Sequence, residues 1–400
     1  MTSLNGLTWD HPRGYQPLEA CALQWRDVEP EVTVQWDRRS LKSFGDDPLE
    51  DLSKRYDLVI VDHPFVGTIA DQGCFVALDR YLDAATLSRI ADSVGSSYDT
   101  YRLAGHQWAL PVDAAAHVSV RRADLMDDRD APRTWEQVTI TAHELGPDRF
   151  ILALAPVDCM MMLLTIAASL GKPAFVEETL AGEDDLAAAL EVIAQLADLA
   201  HPSSLQSNPI AVLDSMSARH GPGYSPALFG YSNYARTPRS TDLRFAPVPA
   251  GAGGSRGVLG GAGVAVSSSS PSTEVASKFA AFVADPEVQA TTYLDAGGQP
   301  SHRTAWKSAE ARRVANGYFA DTLTALDQSW VRPRWVGFPL AQEAAGNAIH
   351  RYLSDGSSRE TTALIRELRS LVERAFTSQP ASDHKLEGKD RDGSPRNRQT

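Results

Sequence analysis

The chain has 400 residues, 43% of them hydrophobic, which is enough apolar material for two or three folding units with sizeable cores. Its 38 Lys and Arg against 51 Asp and Glu give a formal net charge of −13 with no basic cluster, so nucleic acid is not an expected partner. The three cysteines show neither a disulfide framework nor zinc-knuckle spacing, which argues against redox chemistry.

The N-terminal residues lack the basic region and apolar run of a secretory signal. The sequence as written therefore predicts a cytoplasmic protein, or one whose export segment lies outside it. Membrane insertion is not expected, because the most apolar stretch, 150–170, has Pro156 and Asp158 near its middle and is better explained as a strand followed by a helix.

Taken in chain order, segments typical of strands alternate with segments typical of helices, and this alternation predicts an α/β fold with mostly parallel sheets. The run 56–62 is β-branched and ends at Asp62-His63-Pro64, as expected of a buried central strand. Further strands are predicted at 7–9, 31–36, 105–113, 117–120, 243–249 and 261–266, and helices at 78–101, 184–200 and from Pro271 onward. The tail at 378–400 has no aromatic residue and is predicted to be disordered.

Sequence motifs for catalysis are missing. The chain has no phosphate-binding loop, no His-Glu-x-x-His and no Gly-x-Ser-x-Gly. The glycine-rich span 251–263 leads into a strand rather than a helix, which argues against a dinucleotide site. No cofactor and no catalytic residue are therefore assigned.

Two Asp-His pairs, Asp10-His11 and Asp62-His63, each end a predicted parallel strand. Ligands collect at the carboxyl ends of strands in open α/β sheets, so the four side chains are expected to project into one crevice. The alternatives are that each Asp only caps a turn while its His lies on the surface, or that the pairs bind a metal. A paired His and Asp could also serve as base and orienting group, which keeps open a cytoplasmic enzyme or a sensor.

Aromatic residues are concentrated in two loop-like segments, 228–236 and 330–339. They can be core residues, or flat plates such as Tyr231 and Trp335 that stack on a polar ring compound.

In order along the chain, several segments resemble the family 1 extracellular solute-binding proteins of ABC importers, the maltose-binding-protein type. The segments that carry this resemblance from about Leu7 to Phe376 are Leu7-Thr8-Trp9, 56–62, 73–82, 105–113, 121–125, 132–138, 260–266, 275–285, 297–301 and Arg332-Pro333.

The resemblance implies two discontinuous α/β lobes of the periplasmic-binding-protein type II, joined by a hinge with a ligand cleft between them. Lobe one would comprise 1–112 plus 264–309, and lobe two 113–263 plus 310–377. It implies a monomer that closes on a small polar ligand and has an ABC importer permease as a possible partner, in a family that is periplasmic or extracellular.

Carried over by position, the ligand-binding residues would come from the ends of strands, the hinge and the later loops. They are Asp10, His11, Tyr15, Asp62, His63, Asp113, His117, Tyr231, Asn233, Gly261, Gln299, Arg334 and Trp335. The carboxylates, amides and imidazoles would hydrogen-bond hydroxyl groups, and Tyr231 and Trp335 would stack on a ring. Arg13, Arg38 and Arg39 lie close to the crevice in sequence and favour a sugar acid or related carboxylate over a neutral sugar.

Overall fold

A central β-sheet runs through the molecule in the computed structural model, which describes residues 1–40, 48–236 and 241–377. The strands are β1 (Thr2–Trp9), β2 (Val32–Arg39), β3 (Leu58–Val61), β4 (Arg102–Leu103), β5 (His106–Gln107), β6 (Leu110–Arg122), β7 (Phe175–Val176), β8 (Thr179–Leu180), β9 (Tyr224–Phe229), β10 (Leu243–Pro247) and β11 (Leu259–Val266). The main sheet has the order β10-β6-β11-β3-β1-β2, with β9 also paired to β6, while β4 with β5 and β7 with β8 form small hairpins.

The α/β class is confirmed, but the sheet is mixed rather than mostly parallel. Strand β1 pairs in parallel with β2 and β3, whereas β6 and β11 pair antiparallel with their neighbours. The reason is that β6 and β11 carry the chain in opposite directions through the middle of the sheet.

Helices cover the sheet and fill the space beyond its ends. They are α1 (Pro12–Trp25), α2 (Leu49–Ser53), α3 (Val66–Gln72), α4 (Ala84–Ile90), α5 (Trp135–Leu145), α6 (Pro156–Ser169), α7 (Glu183–Leu199), α8 (Pro209–Ser217), α9 (Thr273–Ala284), α10 (Pro286–Val288, continued as a π-helix over Gln289–Tyr293), α11 (Arg303–Lys307), α12 (Ala309–Val314), α13 (Tyr318–Asp327), α14 (Phe338–Ser354) and α15 (Thr361–Thr377).

The buried strand β3 forms as its sequence predicts. Its four residues are shielded on both faces, and burying side chains of this size stabilises the fold by roughly 1.5–3 kcal/mol each. It stops at Asp62, whose carboxylate accepts a hydrogen bond from the backbone N–H of His63 and so caps a short 3-10 turn that begins before Pro64.

Strand β6 connects the two halves of the molecule. Its first half pairs with β11 from Leu110 to Ala116, and its second half lies between β9 and β10. One apolar cluster lies under β1–β3 and α9, a second among α5–α7, α14 and α15, and a third between β6, β9, β10 and α13. The protein is therefore built as two packed α/β units that share crossing strands.

The stretch 78–101 is less helical than predicted. Helix α4 covers only its middle, between 3-10 turns at Leu78–Arg80 and Asp99–Tyr101. The serines of 93–97 bind nearby backbone groups instead: Ser93 Oγ accepts from Tyr98 N–H and Ser97 Oγ donates to the Val94 carbonyl. The predicted disorder at 378–400 concerns residues outside the described ranges.

Candidate functional site

Two parallel strands place the Asp-His pairs at one edge of the sheet. Strands β1 and β3 are parallel neighbours, so Asp10-His11 and Asp62-His63 follow their carboxyl ends side by side. His11 also begins α1, since its Nδ1 accepts a hydrogen bond from Arg13 N–H at 3.1 Å. The two pairs therefore lie at the ends of adjacent parallel strands, with Asp10 exposed and His63 buried.

Asp62 holds a buried arginine from the far end of the chain. Its Oδ1 accepts from Arg332 Nη2 at 2.7 Å and lies 3.3 Å from His63 Nδ1. Burial works against the charge of Asp62, but Arg332 and His63 outweigh it and lower the pKa to about 2. Arg332, which entered above only as a family marker, is thus the arginine that pairs with Asp62.

His63 is a neutral hydrogen-bond acceptor. Burial, reinforced by the charge of Arg332, lowers its pKa to about 4. Its Nδ1 faces the carboxylate of Asp62, which only accepts, so Nδ1 carries the hydrogen and Nε2 exposes a lone pair. Within the described residues that Nε2 has no hydrogen-bond partner.

The crossing strand β6 supplies a second ion pair and a second histidine. Asp113 accepts from Arg13 through two bonds, Nε to Oδ2 at 2.8 Å and Nη2 to Oδ1 at 2.5 Å. Burial raises the pKa of Asp113, and the two bonds from Arg13 oppose that rise. Arg13 Nη1 also donates to the Gly230 carbonyl at 2.9 Å, and its Cζ lies 4.5 Å from the centroid of the Tyr231 ring.

His117 lies on the same face of β6 as Asp113, because side chains repeat every second residue along a strand. Its Nδ1 is 2.8 Å from Thr165 Oγ1, and its ring meets Phe229 edge-on at 4.6 Å. Burial, with the charge of Arg332, lowers its pKa to about 3. Its Nε2 lacks a partner in the described part of the chain, as does that of His63.

Near these ion pairs and histidines, the paired strands β6 and β11 carry small residues opposite each other. In the antiparallel register Gly260 is opposite Ala115 and Gly261 opposite Ala114. Gly261 has φ +112°, and a Cβ there would lie 2.3 Å from the Asp113 carbonyl oxygen. A side chain at this position would therefore be both strained and obstructed.

A second edge, formed by the carboxyl ends of β9 and of the extended segment 150–154, meets the edge formed by β1 and β3. The extended segment 150–154 runs parallel to β9 through the bridge of Phe150 to Tyr224, so Asp158 and Tyr231 follow neighbouring carboxyl ends. The Tyr231 ring contacts His11 edge-on, with centroids 5.0 Å apart. This contact brings the two edges together, and the region where they meet is called the crevice below.

Asp158 is a functional candidate that the sequence analysis did not select. It lies in the first turn of α6, its residue is 5% exposed, and its Oδ2 has no partner among the described residues. Burial raises its pKa to about 8. Its sequence signal was available, since a strand-like run, a proline and an aspartate occur here as they do around Asp62.

Several predicted residues are bound to other protein groups. Gln299 donates through Nε2 to the Ala114 carbonyl at 2.8 Å and accepts through Oε1 from Ser232 N–H at 2.8 Å. Asn233 Nδ2 donates to the Gly297 carbonyl at 3.1 Å. Gln299 thus joins the crossing strand to the loop at Ser232, and Asn233 joins that loop to Gly297.

The other predicted residues have equally specific surroundings. Tyr15 lies beneath Arg38, whose Cζ is 3.3 Å from the ring centroid. Arg334 Nη1 donates to the carbonyls of residues 99, 100 and 102 at 2.9–3.0 Å. Trp335 is 9% exposed and meets Phe338 and Phe376 edge-on.

The arginines that suggested an acidic ligand are engaged by the protein. Arg13 is paired with Asp113, Arg38 Nη2 donates to Glu19 at 2.7 Å, and Arg39 Nη2 donates to the Ile60 carbonyl at 3.0 Å. The expectation of a carboxylate ligand rested on the nearness of these three arginines in sequence, and each of them already has a protein partner.

Two negative findings apply to residues 1–40, 48–236 and 241–377. No helix there is long and apolar enough to cross a membrane. No group of three or more His, Cys, Asp or Glu is arranged to hold a metal ion.

Comparison with known structures identifies similar folds. Maltose-bound MalE3 of T. maritima has a TM-score of 0.79 at 16% identity, with 93% of this chain and 99% of that one covered. The GacH receptor of Streptomyces glaucescens, solved without ligand and with acarbose, has a TM-score of 0.79 at 16% identity and 95% and 100% coverage. A ribitol-bound ABC transporter solute-binding protein of Agrobacterium radiobacter has a TM-score of 0.77 at 17% identity and 94% and 97% coverage. At these identities the likeness establishes the two-lobe fold.

Comparison with curated proteins gives no match. The family model described as bacterial extracellular solute-binding protein matches residues 51–314. This family is extracellular and consists of binding proteins, so the expectation of a non-catalytic protein agrees with it, whereas the expectation of a cytoplasmic location gains no support. The chain belongs to the bacterial extracellular solute-binding protein family.

Proposed function

We propose that this protein is the solute-binding component of an ABC importer and encloses a small polyhydroxylated ligand, a sugar or polyol, in the crevice. Lobe one is assigned to 1–112 plus 264–309 and lobe two to 113–263 plus 310–377. The observation that carries the proposal is the pair of facing carboxyl edges, linked by the His11–Tyr231 contact.

The polar groups of the crevice favour a ligand that donates hydrogen bonds. His63 Nε2, a buried acceptor, and Asp158 Oδ2, a buried carboxyl oxygen, have no hydrogen-bond partner among the described residues. An unsatisfied buried polar atom costs roughly 1–3 kcal/mol, so a ligand hydroxyl that satisfies it gains binding energy. Sugars and polyols carry many such hydroxyls on a small frame.

The charged residues of the crevice also favour a sugar or polyol. Arg13 is paired with Asp113 and Arg332 with Asp62, so the buried cations already have partners. The similar proteins named above hold maltose, acarbose or ribitol. The proposed ligand-binding set is the thirteen residues of the sequence analysis with Asp158 and Arg332 added.

Closure of the two lobes on the ligand is what would tell the permease that the ligand is bound. A ligand stabilises the closed state only by the difference between its affinities for the closed and open forms. Asp62 and His11 of lobe one and Arg332 and Tyr231 of lobe two would close around it, and the importer's permease would recognise the closed form outside the cell.

A catalytic role has weaker physical support. The Asp62–His63 pair has the arrangement of a base and its orienting group, but a histidine with a pKa of about 4 is a poor base near neutral pH.

The test is ligand-induced compaction. The full chain is titrated with maltose, ribitol and D-mannitol, and both the melting temperature and the radius of gyration from X-ray scattering are recorded. At least one ligand is expected to raise Tm and reduce the radius of gyration. In His63→Gln the affinity should fall at least tenfold, whereas His143→Gln, an exposed histidine on α5, should behave as wild type. Absence of compaction and stabilisation across a wider sugar and polyol panel would refute the proposal.

A further inference from the structure

We propose that Asp158 makes the crevice selective for a ligand that carries a protonated amine beside its hydroxyl groups, an amino sugar or an amino polyol. This inference rests on the proposed function and specifies the ligand class within it.

The position of Asp158 places its carboxyl at the ligand. It lies in the first turn of α6, at the edge where the segment 150–154 and β9 both end, together with Tyr231. Tyr231 contacts His11 of the opposite edge. Asp158 Oδ2 is fully buried and has no hydrogen-bond partner in the described residues, which is costly unless a ligand supplies one.

The other buried charges around the crevice form matched pairs. Asp113 is bound by Arg13 through two hydrogen bonds, and Asp62 by Arg332. Asp158 has no ion pair with any described side chain at 4.0 Å or less. Asp158 therefore has no cationic side chain beside it, and a ligand could supply a positively charged group in that place.

The ionisable neighbours of Asp158 do not supply that charge. Tyr231 and Cys159 are the groups coupled to it electrostatically, and burial raises the pKa of both, that of Tyr231 to about 12. Both are neutral at pH 7. Burial raises the pKa of Asp158 itself to about 8, so its carboxyl is mostly protonated at pH 7 unless a cation lies beside it.

An ammonium group satisfies this site better than a hydroxyl does. It donates up to three hydrogen bonds and carries the compensating charge, and a charge-assisted hydrogen bond is roughly twice as strong as a neutral one. A hydroxyl would leave Asp158 either protonated or charged without a counterion. The acceptor at His63 Nε2 remains available for the ligand's hydroxyl groups.

The experiment compares matched ligand pairs that differ by one amine. Binding of glucose against glucosamine, galactose against galactosamine, mannose against mannosamine and sorbitol against glucamine is measured by calorimetry at pH 7 on the full chain. In at least one pair the amine should bind tenfold more tightly or better. The preference should shrink to within twofold in Asp158→Asn and persist in Asp148→Asn, an exposed carboxyl outside the crevice.

Neutral ligands that bind as well as their amines, or an amine preference that survives in a folded Asp158→Asn, would overturn this inference and leave the proposed function intact. If no member of any pair binds while maltose or ribitol does, amine selectivity is also refuted. If none of these ligands binds, the proposed function fails first and the inference with it. Melting curves confirm that the variants are folded.

Discussion

Arg13 and Asp113 form a bidentate ion pair at the centre of the molecule, between the start of α1 and the crossing strand β6, with both side chains almost fully buried. The arginine extends the contact to the Gly230 carbonyl, so three segments distant in sequence meet at one guanidinium. Such a pair specifies which segments meet, but its net contribution to the stability of the fold is small because both charges are removed from water.

Breaking the pair from one side should be severe. Asp113→Asn leaves Arg13 buried without its carboxylate, and we expect the free energy of unfolding, measured by urea denaturation, to fall by about 3–5 kcal/mol. The double variant Arg13→Met with Asp113→Leu removes both charges and should lose less. Equal losses in the single and double variants would contradict this account.

Gly261→Ala should destabilise the crossing of β6 and β11. The φ of +112° is strained for any L side chain, and the new Cβ would meet the Asp113 carbonyl oxygen. We expect a loss of about 1–3 kcal/mol in the free energy of unfolding from the strained backbone alone, with the collision adding to it.

Gly105 serves as a control that separates backbone strain from the steric clash of the new Cβ. Gly105 has φ +83°, yet no atom lies within 4 Å of a Cβ built there. Gly105→Ala should therefore show the strain without the collision and lose less stability. The interpretation is wrong if both substitutions have the same effect.

Acid should destabilise the protein through the buried histidines His63 and His117. Their pKa values of about 4 and about 3 lie below the roughly 6.5 of an unfolded histidine. The unfolded chain thus binds more protons between these values, and stability falls as pH drops below about 6.5, by up to about 1.4 kcal/mol per pH unit for each histidine.

The measurement is the free energy of unfolding across pH 4–7. His117→Asn should show a shallower loss than wild type, and the exposed His143→Asn should follow the wild-type curve. Parallel curves for wild type and His117→Asn would show that this imidazole does not carry the effect.

Asp158 should have the opposite influence at higher pH. Its folded pKa of about 8 lies above the roughly 3.9 of an unfolded aspartate, so the folded state binds the extra proton and loses stability as pH rises between these values. Asp158→Asn abolishes this loss and should be more stable than wild type at pH 8, by thermal and urea unfolding. A variant less stable than wild type at every pH would argue against an uncompensated carboxyl.

Local sequence was sufficient to locate most strands of the main sheet, but it does not predict β9 (Tyr224–Phe229) and indicates a loop for part of this strand. The β-branched run of β3 and the Asp-His-Pro that ends it specify a buried strand and a turn through neighbouring residues alone. The pairs Asp10-His11 and Asp62-His63 could therefore be assigned to one edge before any tertiary contact was known. The family pattern along the chain likewise indicated the two-lobe fold.

The tertiary structure decided which side chains meet. Arg332 rather than Arg334 reaches Asp62, across 270 positions of sequence, and Arg13 reaches Asp113 across 100. The sequence did not show that Gln299 is bound to backbone groups, nor that Asp158, within an apolar helix, has a carboxyl oxygen without a protein partner in the described residues. Secondary structure depends on neighbours along the chain, but the pairing of buried charges depends on which distant segments pack together, and no local pattern encodes that.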